Sequence, residues 1–174
     1  MSEPKPVRDY QPRESRLLAE WLAKTYPDGG YRTHVRLGPP VTNTLGEFAS
    51  AEELNLIGAA FRRWADAVVM LPDVLAVVEA KMVLKPDVIG QLELYLELVG
   101  KTPELAAWSD RPNQGWIVCG VSDPATATMA ARRGYRVIVY RPPWFDEWLL
   151  VLRRRETRAP TQVVYGNNSD EGSE

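Results

Sequence analysis

Apolar positions recur along this chain with two periods, and they divide it into helices and strands. From Arg13 to Tyr26, Leu17, Leu18, Trp21 and Leu22 form one stripe at helical spacing. Arg16, Glu20 and Lys24 fall on the opposite side at i, i+4 spacing, as a solvated face. Glu14 precedes Leu17 and Leu18 on the inward side. From Tyr31 to Leu37 the period changes to two, which predicts a half-buried strand. Tyr31, Thr33, Val35 and Leu37 are expected on its apolar face, with Arg32, His34 and Arg36 on the other. Ser50-Ala-Glu-Glu53 is a capping box that predicts a short helix to about Ala60. Two apolar strands then flank Pro72-Asp73, residues suited to the centre of a tight turn. Pro86 opens a helix whose inward face is Val88, Leu92, Tyr95, Leu96 and Val99, and Gly100 ends it. Lys101 to Gln114 reads as a loop and Trp116 to Val121 as a buried strand. Asp123-Pro124 caps an alanine-rich helix closed by Gly134, and Tyr135 to Tyr140 is the next strand. Strand, short helix, strand implies a parallel βαβ unit. Trp144 to Arg155 reads as a terminal helix, with a cluster at Arg153-Arg-Arg155.

The hairpin carries the chemistry. With its symmetry point between Pro72 and Asp73, Met70 faces Leu75 and Asp66 faces Glu79. Directly opposed residues share a face, with Cβ atoms roughly 5 Å apart. Lys81, two residues beyond Glu79, is on that face as well. A slip of one residue would send Asp66 to the other side. Two carboxylates a few Å apart favour each other's protonation, and a hard divalent cation relieves that cost. Such a cation polarises a phosphoryl oxygen and acidifies a bound water, and a lysine can orient that water. Asp66 and Glu79 are therefore candidate Mg²⁺ ligands, with Mn²⁺ as a substitute, and Lys81 is the candidate water-positioning group. The simpler reading makes Asp66 and Lys81 solvated strand ends, with Glu79 paired to Lys81. Against it, Val74-Leu-Ala-Val-Val78 is apolar on both faces, and charges ending such a buried strand are costly unless paired or metal-bound.

Asp66 followed by Glu79-Ala80-Lys81 on the next strand resembles the PD-(D/E)xK nuclease superfamily, whose members include restriction endonucleases, Holliday-junction resolvases and exonucleases of the RecB type. Gly90-Gln91-Leu-Glu-Leu-Tyr95 resembles the Gln-x-x-x-Tyr motif of the RecB-like branch. The resemblance covers roughly Arg13 to Tyr140. It implies an α/β fold with a restriction-endonuclease-like αβββαβ core, a mixed central sheet flanked by helices, here with an added helix and strand. It also implies a site of Asp66, Glu79, Lys81 and Gln91, with Tyr95 undecided between site and core. A glutamate on the first helix often reaches the metal in this superfamily, and periodicity selects Glu14; the alternative is that Glu14 complements the helix N-terminus. The literal Pro72-Asp73 is a decoy, since Asp73 lies six residues from Glu79, roughly 20 Å along a strand. DNA is the substrate implied by the superfamily. A homodimer is consistent with it, since many relatives cut two strands with paired sites.

Composition narrows the rest. The chain has 174 residues, 45% of them hydrophobic and 25% charged, as in an ordinary globular domain. Residues 1–12 are expected as an extended arm, 13–160 as one domain and 161–174 as an acidic, disordered tail. The net charge of −2 gives no global basic field, so DNA contacts would have to be local. Candidates are Arg32 and Arg36, better explained as protective charges on an edge strand, and Arg62 and Arg63, explained equally well by surface solubility. His34 is the sole histidine and gives no metal cluster; no catalytic role is assigned to it. The one cysteine, Cys119, excludes an intramolecular disulfide and a cysteine zinc site, and reads as a core thiol. The start Met1-Ser-Glu-Pro-Lys-Pro lacks an apolar core, and no apolar run approaches the roughly 20 residues of a membrane span. A cytoplasmic location is expected. A metal-dependent deoxyribonuclease is the leading reading. The alternatives are a non-cleaving nucleic-acid-binding or structural subunit on the same fold, and a small-molecule enzyme with a coincidental acid cluster.

Overall fold

A computed structural model of the chain describes residues 11–39 and 62–156. The predicted Ser50 helix, the arm up to residue 10 and the acidic tail lie outside the described residues. The order of elements is α1 (Gln11–Thr25), β1 (Tyr31–Leu37), β2 (Arg63–Met70), β3 (Leu75–Val83), α2 (Asp87–Val99), a 3₁₀ helix (Pro103–Trp108), β4 (Asn113–Val121), α3 (Pro124–Arg132), β5 (Arg136–Val139) and α4 (Pro143–Glu156). Two boundaries differ from the sequence reading. Helix α1 takes in Gln11 and Pro12, because proline is tolerated in a first turn that needs no N–H partner. The segment after α2 is not plain loop: Pro103 starts a 3₁₀ helix that buries Leu105.

The strands form one five-stranded mixed sheet in the order β1-β2-β3-β4-β5. β1, β2 and β3 are antiparallel neighbours, whereas β3-β4 and β4-β5 are parallel. The hairpin turn is centred on Pro72-Asp73, with the Leu71 amide donating to the Val74 carbonyl at 2.9 Å. Its register runs from Met70↔Leu75 to Ala67↔Val78, which is the register expected from the turn. The two parallel pairs are linked by α2 and α3. Asp123 caps α3 by accepting the Thr126 amide at 2.8 Å, and Gly134 at φ 74° ends the helix before β5.

Each face of the sheet has its own core. On one, Leu18, Trp21 and Leu22 of α1 pack over Ala67, Val69, Ala76, Val78, Ala80 and Val118. On the other, Val88, Leu92, Tyr95 and Val99 of α2, with Ala130 of α3, cover Val68, Val77, Ile117 and Cys119. Gly115 of β4 lets α2 come close, since a Cβ there would stand 3.0 Å from the Tyr135 ring and 3.3 Å from Leu92. Cys119 is fully buried at the centre of this layer, and burial pushes its thiol up to about 11.

The chain divides into two compact units, residues 1–142 and 143–174. The first holds the sheet and its helices. In the second, α4 brings Trp144, Phe145 and Trp148 together, with ring centroids 6.0 and 5.0 Å apart in sequence. The expected domain of residues 13–160 spans the first unit and this helix. Among the described residues, no helix is long and apolar enough to cross a membrane.

Candidate functional site

The strands part where the charged residues begin. The β2–β3 ladder stops at Ala67↔Val78, and Asp66, next in line, does not pair with Glu79. Its carboxylate instead accepts the Ala80 amide at 2.9 Å, from the edge of β3 that β2 has left. Glu14 reaches down from α1 and accepts the next amide on that edge, Met82, at 3.2 Å. Two carboxylates thus replace two ladder bonds, satisfying donors that burial would otherwise make costly. The sequence reading set Asp66 and Glu79 side by side on one face. The ladder leading to them keeps the expected register, but Asp66 does not pair with Glu79 and turns toward the Ala80 amide instead.

The β1–β2 pairing shows the same break. Thr33↔Ala67 and Val35↔Ala65 are in register, yet His34 and Asp66 between them are not paired. Among the described residues, His34 is the one non-glycine residue with positive φ, at 50°. Such a conformation is uncommon for any residue but glycine, although His tolerates it better than most. The faces exchange across this point. Tyr31, Ala67 and Val69 belong to the α1 side, whereas Val35, Leu37 and Ala65 belong to the α2 side. The alternation expected for Tyr31 to Leu37 is therefore corrected: it reverses at His34, because a left-handed residue reorients the strand beyond it.

Glu79 is 2% exposed, and its Oε1 accepts from the Lys81 Nζ at 2.7 Å. Its Oε2 is buried and makes no close hydrogen bond, and the Gln91 side chain acts on the carboxyl only as its weakest hydrogen-bonding neighbour. Burial, and then the charge of Asp66, push the Glu79 carboxyl up to about 7; Lys81 and the neighbouring Gln91 only partly offset them. Burial likewise raises Asp66, against the Ala80 amide, Lys81 and His34. Glu14 is raised by burial, against Lys81 and the Met82 amide. Burial opposes the Lys81 ammonium, but Glu79, Glu14 and Asp66 outweigh it and lift its pKa. The opposite fates of Glu79 and Lys81 follow from numbers: three carboxylates act on one ammonium, so the cation is over-satisfied and the deepest anion under-satisfied.

Helix α2 supplies the other wall. Gln91 donates from Nε2 to the Tyr95 hydroxyl at 2.7 Å, and that hydroxyl donates to the Trp64 carbonyl at 2.7 Å. Tyr95, undecided on sequence, is both core and a link between Gln91 and β2. Glu14, Asp66, Glu79, Lys81 and Gln91 thus meet at one end of the sheet, and Asp73 sits at the turn, away from them. The arginines have other engagements. Arg62 forms an ion pair with Glu104 at 2.8 Å, Arg32 donates to the Glu104 carbonyl and lies over Trp108, and Arg36 lies over Trp64. Arg63 is exposed at the start of β2. His34 was passed over on sequence; only the β1–β2 register, in which it falls opposite Asp66, brings it to the site.

Among the described residues no three His, Cys, Asp or Glu side chains converge as a ready-made ligand set. The donor set still fits Mg²⁺, which is commonly held by one or two carboxylates and completes its shell with water. The fit rests on the buried Glu79 Oε2, which makes no close hydrogen bond, and on an excess of carboxylates over ammonium that a divalent cation would balance. No protein-family model matches the chain, and neither a curated protein nor a solved structure matches it.

Proposed function

We propose that this chain is a metal-dependent nuclease of the PD-(D/E)xK type that hydrolyses phosphodiester bonds in DNA. The observation that carries the reading is Glu79: buried, paired on one oxygen with Lys81, without a close hydrogen bond on the other, and near the charge of Asp66 where two strands part. A buried carboxylate whose pairing leaves it this far raised is costly and is retained where it serves a site. Among the described residues the order α1-β1-β2-β3-α2-β4, with α3 and β5 appended, lends support to the reading, since an αβββαβ order is what that superfamily implies.

Asp66 and Glu79 would hold Mg²⁺, or Mn²⁺ in its place. The bound ion supplies charge neutralisation at the phosphoryl oxygens and a more acidic water. Lys81, fixed by its bond to Glu79, orients the attacking water and stabilises charge developing on the phosphoryl group. Glu14 holds the Met82 amide and keeps β3 from closing against β2. Gln91 stands beside Glu79 and ties α2 to β2 through Tyr95, which fixes the wall opposite the carboxylates.

The test is cleavage of labelled linear, circular, branched and single-stranded DNA with Mg²⁺ or Mn²⁺, against EDTA and against an Asp66→Asn variant. Cutting that needs both metal and Asp66 is the expected result, and the substrate preferred gives the subclass. Binding without cutting on every substrate and metal would establish the non-cleaving subunit instead.

A further inference from the structure

Trp64 is 51% exposed, although it lies within a strand of the central sheet. The guanidinium of Arg36, its partner across the β1–β2 ladder, lies 4.5 Å from the centre of its ring. Arg36 covers one side of the indole, and half of the residue's surface remains open. The backbone beneath is held, because the Trp64 carbonyl accepts the Tyr95 hydroxyl that Gln91 also binds. An exposed tryptophan on a mobile chain would be unremarkable; this one has its backbone carbonyl held by Tyr95 and a cation against one face of its ring.

Its position gives it a use. Ala65, Val35 and Leu37 pack into the α2-side core, so Trp64 and Arg36 stand on the opposite, α1 side. On that same side Asp66 and His34 line a cavity of about 210 Å³ with Thr33 and with Ser15, Leu18 and Ala19 of α1. From Trp64 to Asp66 is two strand residues, roughly 7 Å. A base on Trp64 would thus stand close to a phosphate at Asp66.

We infer that Trp64, backed by Arg36, is a stacking platform for an unpaired base, and that the substrate enters the site as a single strand. This deepens the nuclease reading and rests on it for the phosphate at Asp66. In a duplex each base is already covered by its neighbours, whereas in a single strand every base offers a face that stacks on an aromatic ring. The chain's net charge of −2 also disfavours a mode that depends on a broad basic groove. Stacking with one local cation needs no such field.

Fluorescence anisotropy of the full chain with a labelled single-stranded 15-mer and its duplex, in EDTA and again with Ca²⁺, tests this. Trp64→Ala is expected to weaken single-strand binding roughly tenfold and leave duplex binding unchanged, on the scale of one lost base stack. Trp64→Phe retains most of the affinity. Should the alanine variant unfold, Trp64→Leu keeps an apolar side chain without a ring face and is expected to show the same loss. Equal single-strand affinity in the wild type, Ala and Leu variants, an equal loss on both DNA forms, or no single-strand binding by the wild type overturns the inference. The nuclease reading fails separately. Trp64-dependent binding by a chain that never cuts removes the nuclease and keeps the platform, and cutting indifferent to Trp64 does the reverse.

Discussion

Glu79→Gln is expected to abolish metal-dependent cleavage and, in the same protein, to raise the melting temperature at pH 8. The first effect follows, on the proposed function, from losing a carboxylate assigned to the metal and the anchor of Lys81, and should reach roughly 10³-fold or more in rate, at least the scale of removing one preorganised electrostatic group. The second follows from linkage. Burial and Asp66 raise the Glu79 carboxyl from 4.5 to about 7, so between those values the folded chain holds a proton that the unfolded chain has released. Stability from this group is full below pH 4.5 and falls as pH rises to about 7. Glutamine mimics the protonated acid and does not titrate. The variant should therefore match the wild type near pH 4.5 and exceed it by something on the order of 3 kcal/mol above pH 7. Millimolar Mg²⁺ should close that gap by stabilising only the wild type. Melting curves at pH 5 and pH 8, with and without Mg²⁺, read all of this. A variant less stable than the wild type at pH 8 would mean that Glu79 is a well-satisfied structural residue.

Lys81→Met should fail in the opposite sense. Removing the ammonium leaves Glu79, Asp66 and Glu14 with their mutual repulsion and without their shared cation. Breaking a buried pair from one side costs several kcal/mol. Here Glu79 escapes by taking up a proton, and without Lys81 its pKa moves higher still. The deficit should be small near pH 5, where Glu79 is protonated anyway, and grow toward pH 8. There it should approach roughly 3 kcal/mol, or about 8 °C in melting temperature for a chain of this size. Combining it with Glu79→Gln should cost less than Lys81→Met alone, because the anion in need of a partner is gone. Cleavage should be lost in both. A pH-independent deficit in Lys81→Met would show that the lysine stem, and not its charge, is what the fold uses.

The parts of this site that the sequence discloses are those set by local chemistry. Pro72-Asp73 fixes the hairpin turn, and a two-residue turn fixes the register as far as Ala67↔Val78. Helical period separates Glu14 from Glu20: the first reaches the Met82 amide, and the second forms an i, i+4 pair with Arg16. What stays hidden depends on distant neighbours. Nothing local marks His34 for a left-handed backbone, since glycine would be the usual signal. The reversal of faces that follows from it is invisible for the same reason. Arg32 and Arg62 read as free basic residues because their partner, Glu104, lies 72 and 42 positions away. Asp66 is legible as an acid at a strand end, but its turn toward Ala80 is a property of how β2 leaves β3.

Cys119 is the chain's single thiol, and it lies in the sheet between Lys81 of β3 and Val139 of β5. With its pKa near 11, roughly one molecule in a thousand carries the reactive thiolate at pH 8, and no face of it meets solvent. An alkylating reagent can therefore modify the chain only when β3, β4 and β5 come apart. The residue is a native clock for opening of the parallel half of the sheet, and it runs without any engineered label. Since Lys81 is its neighbour in register, the same clock should slow in Mg²⁺ if the proposed metal site is filled.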